Sequence, residues 1–124
     1  MRKKKILILS GGISKEREIS LETAKQVNNT LKKKYLTLLS EPNDSLNKNI
    51  KKFKPDIIFN ALHGRFGEDG YMQSLLEDQK IKYTHSGVLS SSIAMDKIIS
   101  KEIFIKNKIL TPKYLKFNFD SNIL

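Results

Sequence analysis

The 124-residue sequence predicts an α/β fold, a parallel sheet of about four strands flanked by helices. Three observations carry that prediction. Short apolar runs rich in isoleucine and leucine recur at residues 4–10, 35–40 and 57–62. Stretches with helical spacing of apolar residues separate them. Polar, glycine-rich loops follow the first and third runs. Parallel neighbours need crossover connections, and the helical stretches supply them.

Each element has its own signal. Residues 4–10 (KKILILS) form a continuous apolar run ending in Gly11-Gly12, as a buried strand entering a tight loop would. Over residues 18–34, Ile19, Leu21, Ala24, Val27 and Leu31 recur at helical spacing, and the Ser14 hydroxyl is placed to cap that helix. A second strand at 35–40 is broken by Glu41-Pro42-Asn43-Asp44, where Asp44 is the expected cap of a short helix over 45–53. The third strand, 57–62, runs into the loop His63-Gly64-Arg65-Phe66-Gly67-Glu68-Asp69-Gly70. An amphipathic helix over 71–79 follows, with Met72, Leu75 and Leu76 on one face, then a short fourth strand at 81–84. Two helical stretches, 88–95 and 97–107, meet near Asp96, and Thr111-Pro112 ends the second. Residues 114–119 alternate as another strand would.

Composition bounds the function. Hydrophobic residues are 39% and charged residues 29%, enough for one moderate core. Cysteine is absent, which excludes a disulfide scaffold, a thiolate metal site and a cysteine nucleophile. The longest apolar runs, such as residues 6–9, fall far short of a membrane span, and the basic start lacks the apolar stretch of a signal peptide. A cytoplasmic protein without a membrane partner is expected. The formal charge of +10 favours polyanions, yet lysine supplies 20 of the 23 positive charges. Nucleic-acid recognition favours arginine, and the lysines are scattered among isoleucines and asparagines, so codon bias in an AT-rich genome is the simpler reading. No nucleic-acid partner is expected.

In a parallel sheet the loops at the carboxyl ends of the strands form the binding crevice, and both glycine-rich loops fall there. Gly11-Gly12 suits a tight turn or a close backbone approach to a ligand, but it is neither GxGxxG nor a Walker A sequence. Glu16 and Glu18 either complement a helix dipole or place one carboxylate in the crevice against an ammonium group. Arg17 between them is positioned to pair with either. His63, directly at a strand end, is a structural residue or a hydrogen-bond partner for a substrate carboxylate. Glu68-Asp69-Gly70 reads as helix capping. No metal site is expected, because His85 has no partner at ligand spacing.

Taken together, three segments resemble the bacterial D-alanine–D-alanine ligases of the ATP-grasp group. They are Gly11-Gly12-Ile13-Ser14-Lys15-Glu16-Arg17-Glu18-Ile19-Ser20-Leu21, the stretch Asn60-Ala61-Leu62-His63-Gly64 through Gly70, and Tyr83-Thr84-His85-Ser86-Gly87-Val88 with Ala94-Met95-Asp96-Lys97 and Ser100-Lys101. The resemblance spans nearly the whole chain. It implies a Rossmann-like pre-ATP-grasp domain over 1–112 and the start of a truncated central domain over 113–124. The implied reaction belongs to peptidoglycan synthesis: ATP phosphorylates one D-alanine, and the amine of a second attacks the acyl phosphate. Carried over by motif, Glu16 would hold the ammonium of the first D-alanine and His63 would place its carboxyl group. Ile19 would line the methyl pocket, Gly11, Gly12 and Gly64 would admit the ligand to the backbone, and Lys97 would approach the ATP phosphates. The family implies ATP and Mg²⁺ as cofactors and a homodimer at full length. The chain itself is expected to lack the ATP clamp, to bind neither cofactor alone and to be inactive alone. A truncated, non-catalytic scaffold module is the alternative from another class, and a basic nucleic-acid-binding domain is a third.

Overall fold

A computed structural model describes residues 2–117. The strands are β1 (Lys5–Leu9), β2 (Leu36–Ser40) and β3 (Ile57–Asn60), and the helices are α1 (Arg17–Leu31), α2 (Leu46–Phe53), α3 (Tyr71–Asp78), α4 (Val88–Met95) and α5 (Lys97–Lys106). The sheet has the order β2-β1-β3, parallel throughout, with Leu7 opposite both Leu38 and Ile58.

Central β1 is covered on both faces because its alternate residues serve two helical layers. Leu7 and Leu9 pack with Ile58, Leu62, and Leu46 and Ile50 of α2, closed by Met72 and Leu76 of α3. Ile6 and Ile8 pack on the other face against Ala24, with Val27 and Leu31 of α1 around them. An apolar run with no polar alternation is what such a strand requires.

The expected fourth strand is corrected to a single bridge. Ile58 donates to the Lys82 carbonyl (2.8 Å) and accepts from Thr84 (3.0 Å), which makes one parallel bridge between Ile58 and Tyr83. The ladder stops there because the Asn60 N–H is taken by the Thr84 hydroxyl at 3.0 Å. His85 then turns the chain away at φ +95°, a left-handed conformation rare for a side-chain-bearing residue. The described sheet therefore has three strands.

Two expected caps also move. The Ser14 hydroxyl accepts from Glu16 N–H (3.1 Å) just before α1, and the cap position itself falls on Glu16, which makes no side-chain capping bond. Ahead of α2, Asn43 rather than Asp44 accepts from the Ser45 N–H (3.0 Å) and hydroxyl (2.6 Å). Asp96 separates α4 from α5 as the sequence suggests, accepting from Ile98 and Ile99 N–H at 2.9 and 3.0 Å. Beyond α5, residues 113–117 form no strand, and 118–119 of the expected last strand lie outside the described residues. No described helix is long and apolar enough to cross a membrane.

Candidate functional site

With β1 between β2 and β3, the first crossover places β2 on one side of β1 and the next places β3 on the other, so the loops leaving β1 and β3 diverge over a crevice. Both glycine-rich loops belong to those strands. The crevice holds a cleft of about 200 Å³, walled by Gly11, Gly12, Ile13 and Ser14 on one side and by Leu62, His63, Phe66 and Met72 on the other. It is smaller than the ~300–1,000 Å³ typical of drug-sized sites and suits a small ligand.

The first loop is built on positive φ. Gly11 and Gly12 lie at +78° and +82°, a region open to glycine at little cost. Buried Ser20 ties this loop to the end of β3: its hydroxyl accepts from Gly11 N–H (2.9 Å) and donates to the Ala61 carbonyl (2.7 Å). Arg17 pairs with neither neighbouring glutamate. It makes a two-pronged ion pair with Glu41 at the end of β2, at 2.5 and 2.8 Å, and donates to the Gly12 carbonyl at 3.2 Å. Hydrogen bonding from Arg17 holds the Glu41 carboxyl below its ordinary range, and the same pairing pushes Arg17 up. Both side chains are about 40% exposed, so solvent screens the pair and it adds little to the stability of the fold.

The second loop is folded around Asn60. This buried side chain donates to the Gly67 carbonyl (2.8 Å) and accepts from Leu62 N–H (3.1 Å). Gln73 of α3 donates to the same carbonyl at 3.0 Å. Glu68 accepts from Gly64 N–H (2.7 Å), and Asp69 accepts from Phe66 and Tyr71 N–H (2.9 and 3.1 Å). The acids of this loop thus tie its backbone, with Asp69 reaching the first residue of α3. The rings of Phe66 and Tyr71 meet edge-on with centroids 5.5 Å apart.

The two loops touch. The Ser14 hydroxyl donates to the His63 carbonyl at 2.8 Å, and His63 Nε2 lies 3.2 Å from the Thr23 hydroxyl on α1. The Glu16 carboxylate lies against the α-carbon of Gly64 (φ +70°), where any side chain at position 64 would collide with it. Glu16 is exposed and has no cationic partner within ion-pair distance among the described residues.

Of the residues singled out from sequence, Gly11, Gly12 and His63 line the cleft, while Glu16 and Gly64 stand together beside it. Ile19 is exposed on the first turn of α1 and is not part of the lining. Lys97, exposed, opens α5 and is not part of it either. The structure adds Ser20, Asn60 and the Arg17–Glu41 pair as residues that shape the loops. Ser20 and Asn60 sit within the motif segments, and a polar residue at a buried periodic position was the available signal. Arg17–Glu41 joins positions far apart in sequence and had none. No group of three or more His, Asp or Glu among the described residues is placed to hold a metal ion.

Comparison with known proteins bears on this arrangement. Residues 39–86 match the family model described as D-ala D-ala ligase N-terminus. A D-alanine–D-alanine ligase of Pelagibacter ubique is 71% identical over 98% of the chain, and one of Carboxydothermus hydrogenoformans is 44% identical over 95%. Among solved structures, the D-alanine–D-alanine ligase of Bacillus anthracis complexed with ATP superposes with a TM-score of 0.80 at 34% identity, covering 96% of the chain. D-alanyl-alanine synthetase A of Vibrio cholerae gives 0.81 at 30% over 93%. The chain spans about 40% of the length of these relatives: 40% and 38% of the two curated sequences, 42% and 40% of the two structures. By sequence and by fold, the chain is the counterpart of the N-terminal part of the D-alanine–D-alanine ligases.

Proposed function

We propose that this chain is the first-substrate lobe of an ATP-dependent D-alanine–D-alanine ligase of peptidoglycan synthesis, acting in the cytoplasm. One observation carries the reading: an unpaired carboxylate, Glu16, stands beside the loop that begins at His63, at the rim of a small cleft over the switch point of the sheet. Such a rim offers opposite ends of a small zwitterion different partners. Glu16 takes the α-ammonium, and His63, steadied through Nε2 by Thr23, hydrogen-bonds the carboxyl group. The apolar walls admit a methyl group and crowd larger side chains; Ile19 is assigned to that pocket by its motif. Gly11, Gly12 and Gly64 let the backbone approach the ligand. Holding the amino acid in one orientation is this lobe's share of catalysis, because positioning supplies much of the rate in such group transfers.

ATP supplies the phosphoryl group in the reaction so proposed, and Mg²⁺ accompanies it. The described residues do not form a metal site, and Lys97 is the residue of this chain assigned to the nucleotide. We assign residues 1–112 to the amino-acid lobe and 113–124 to the start of the nucleotide-binding part, so that the lobe alone does not turn over. At full length the protein is proposed to be a homodimer.

The test joins the chain to the remaining domains of the Pelagibacter ubique relative and measures D-alanine-dependent phosphate release. Glu16→Gln should raise the KM for the first D-alanine tenfold or more, since losing a charge-assisted contact costs about 1.5–3 kcal/mol. An unchanged KM removes Glu16 from the site, and a fusion without activity refutes the ligase reading.

A further inference from the structure

The Arg17–Glu41 pair stands directly over the Gly11–Gly12 corner. A β-carbon on Gly11 would come within 2.5 Å of Arg17 Nη1 and 2.8 Å of Glu41 Oε2, so the pair closes on bare backbone. Arg17 Nη1 also binds the Gly12 carbonyl at 3.2 Å. The next residue, Pro42, lies within van der Waals reach of a β-carbon built on Gly12 and lines the cleft with it. One side of the bracket therefore grips the cleft's first loop, and the other sets the loop that follows β2.

We propose that the Arg17–Glu41 pair is a positioning device for the cleft, holding the Gly12 and Pro42 walls at the separation a small amino acid requires. This rests on the amino-acid reading of the cleft given above. Neither side chain is placed to touch the ligand. Arginine is the fitting cation because its planar fork grips the carboxylate at two points while sparing a third N–H for the Gly12 carbonyl; lysine offers a point charge without that geometry. The exposure of the pair makes it a weak staple for the fold, which separates the positioning role from a structural one.

The test uses the 124-residue chain and, for turnover, the fusion described above. In Glu41→Gln, amide hydrogen exchange at Gly11 and Gly12 should accelerate about tenfold, with Leu7 and Ile58 unchanged, as expected for local opening. In the fusion, the KM for the first D-alanine should rise about tenfold with kcat within about twofold, because a slightly displaced wall weakens contacts made equally in the bound substrate and the transition state, while Glu16 and His63 still orient it. Arg17→Lys should show the same split, to an intermediate degree. Equal loss of protection at the corner and in the core would make the pair a fold staple and overturn the proposal, as would exchange and KM both unchanged. If the unaltered fusion does not turn over, the ligase reading fails and the exchange pattern alone decides whether the bracket exists.

Discussion

The sheet-centred body, residues 2–84, and the arm built from α4 and α5 use their apolar residues in opposite ways. In the body, Leu7, Ile8, Leu9 and Ile58 are completely buried. In the arm, the buried residues of the two helices are Ser91 and Ser100, while Leu89, Met95, Ile99 and Ile105 are exposed. Polar contacts join the arm to the body at Ser92 and link the arm's own parts at Ser100 and Lys101. Ser92 donates to the Asp69 carbonyl (2.8 Å), Ser100 joins α5 to the Ile93 carbonyl (2.7 Å), and Lys101 bonds Thr111 and Pro112 (3.0 and 2.9 Å). The comparison teaches that the body has its own core, whereas the arm is attached through hydrogen bonds and shows an apolar surface to solvent. Every residue that lines the cleft belongs to the body; Lys97 belongs to the arm.

Paired truncations break this comparison most directly. Ile58→Ala should destabilise the chain by about 2–5 kcal/mol, since a fully buried branched side chain leaves a cavity between the sheet and helices α2 and α3. Leu89→Ala removes a similar volume from the arm, yet that side chain is 73% exposed, and the change should stay within about 0.5 kcal/mol. Denaturant titration of both variants measures the difference. Equal losses would mean that the arm carries a core of its own.

The next effect lies at the junction within the arm. Asp96 satisfies two N–H groups at the start of α5, so Asp96→Ala should cost about 0.5–2 kcal/mol. The loss should fall on α5, read as faster amide exchange at Ile98 and Ile99 while Leu7 stays protected. Loss of protection in β1 as well would show body and arm to be one cooperative unit.

Both helices of the arm were legible in sequence, and so was most of the body. Its strands are continuous apolar runs, and its helices keep the 3.6 period against one face each, so local pattern and tertiary burial agree. Where they disagree, the reading slips. Residues 81–84 are apolar enough for a strand, but a borrowed hydroxyl from Thr84 and the turn at His85 stop the ladder after one bridge. The Ser14 and Asp44 caps miss by a residue or two because neighbouring Ser, Asn and Asp compete for the same N–H groups. In the site, the loops and their glycines were legible because close backbone approach demands glycine. The Arg17–Glu41 bond was not: two glutamates adjacent to Arg17 offered local partners, and the actual one arrives from the end of β2. Asn60 and Ser20 show in sequence as polar residues at buried periodic positions, but their hydrogen-bond partners follow from the meeting of β1 and β3, which no local pattern specifies.

The smallest effect is the dependence of stability on pH, and its two limbs come from different places in the body. Arg17 holds Glu41 low, and the Lys5 N–H (2.7 Å), followed by Arg2, holds Asp56 low. A carboxyl whose folded value is depressed binds fewer protons in the folded chain than in the unfolded one. Its contribution is therefore full above the ordinary values of 4.5 and 3.8 and is lost as pH falls through the lower, folded values. On the alkaline side, burial first and then the hydrogen bond to Glu77 (2.6 Å) push Tyr83 up to about 12. The folded chain keeps that proton longer than the unfolded one, so the contribution is full below the ordinary value of 10 and fades as pH rises toward about 12. Thermal unfolding across pH should give a plateau with two shoulders. Glu41→Gln should diminish the acid shoulder without moving the alkaline one, and Tyr83→Phe should do the reverse. A variant that moved both shoulders would tie the Gly11–Gly12 corner to the junction with the arm, and the body could no longer be treated as independent of what is attached to it.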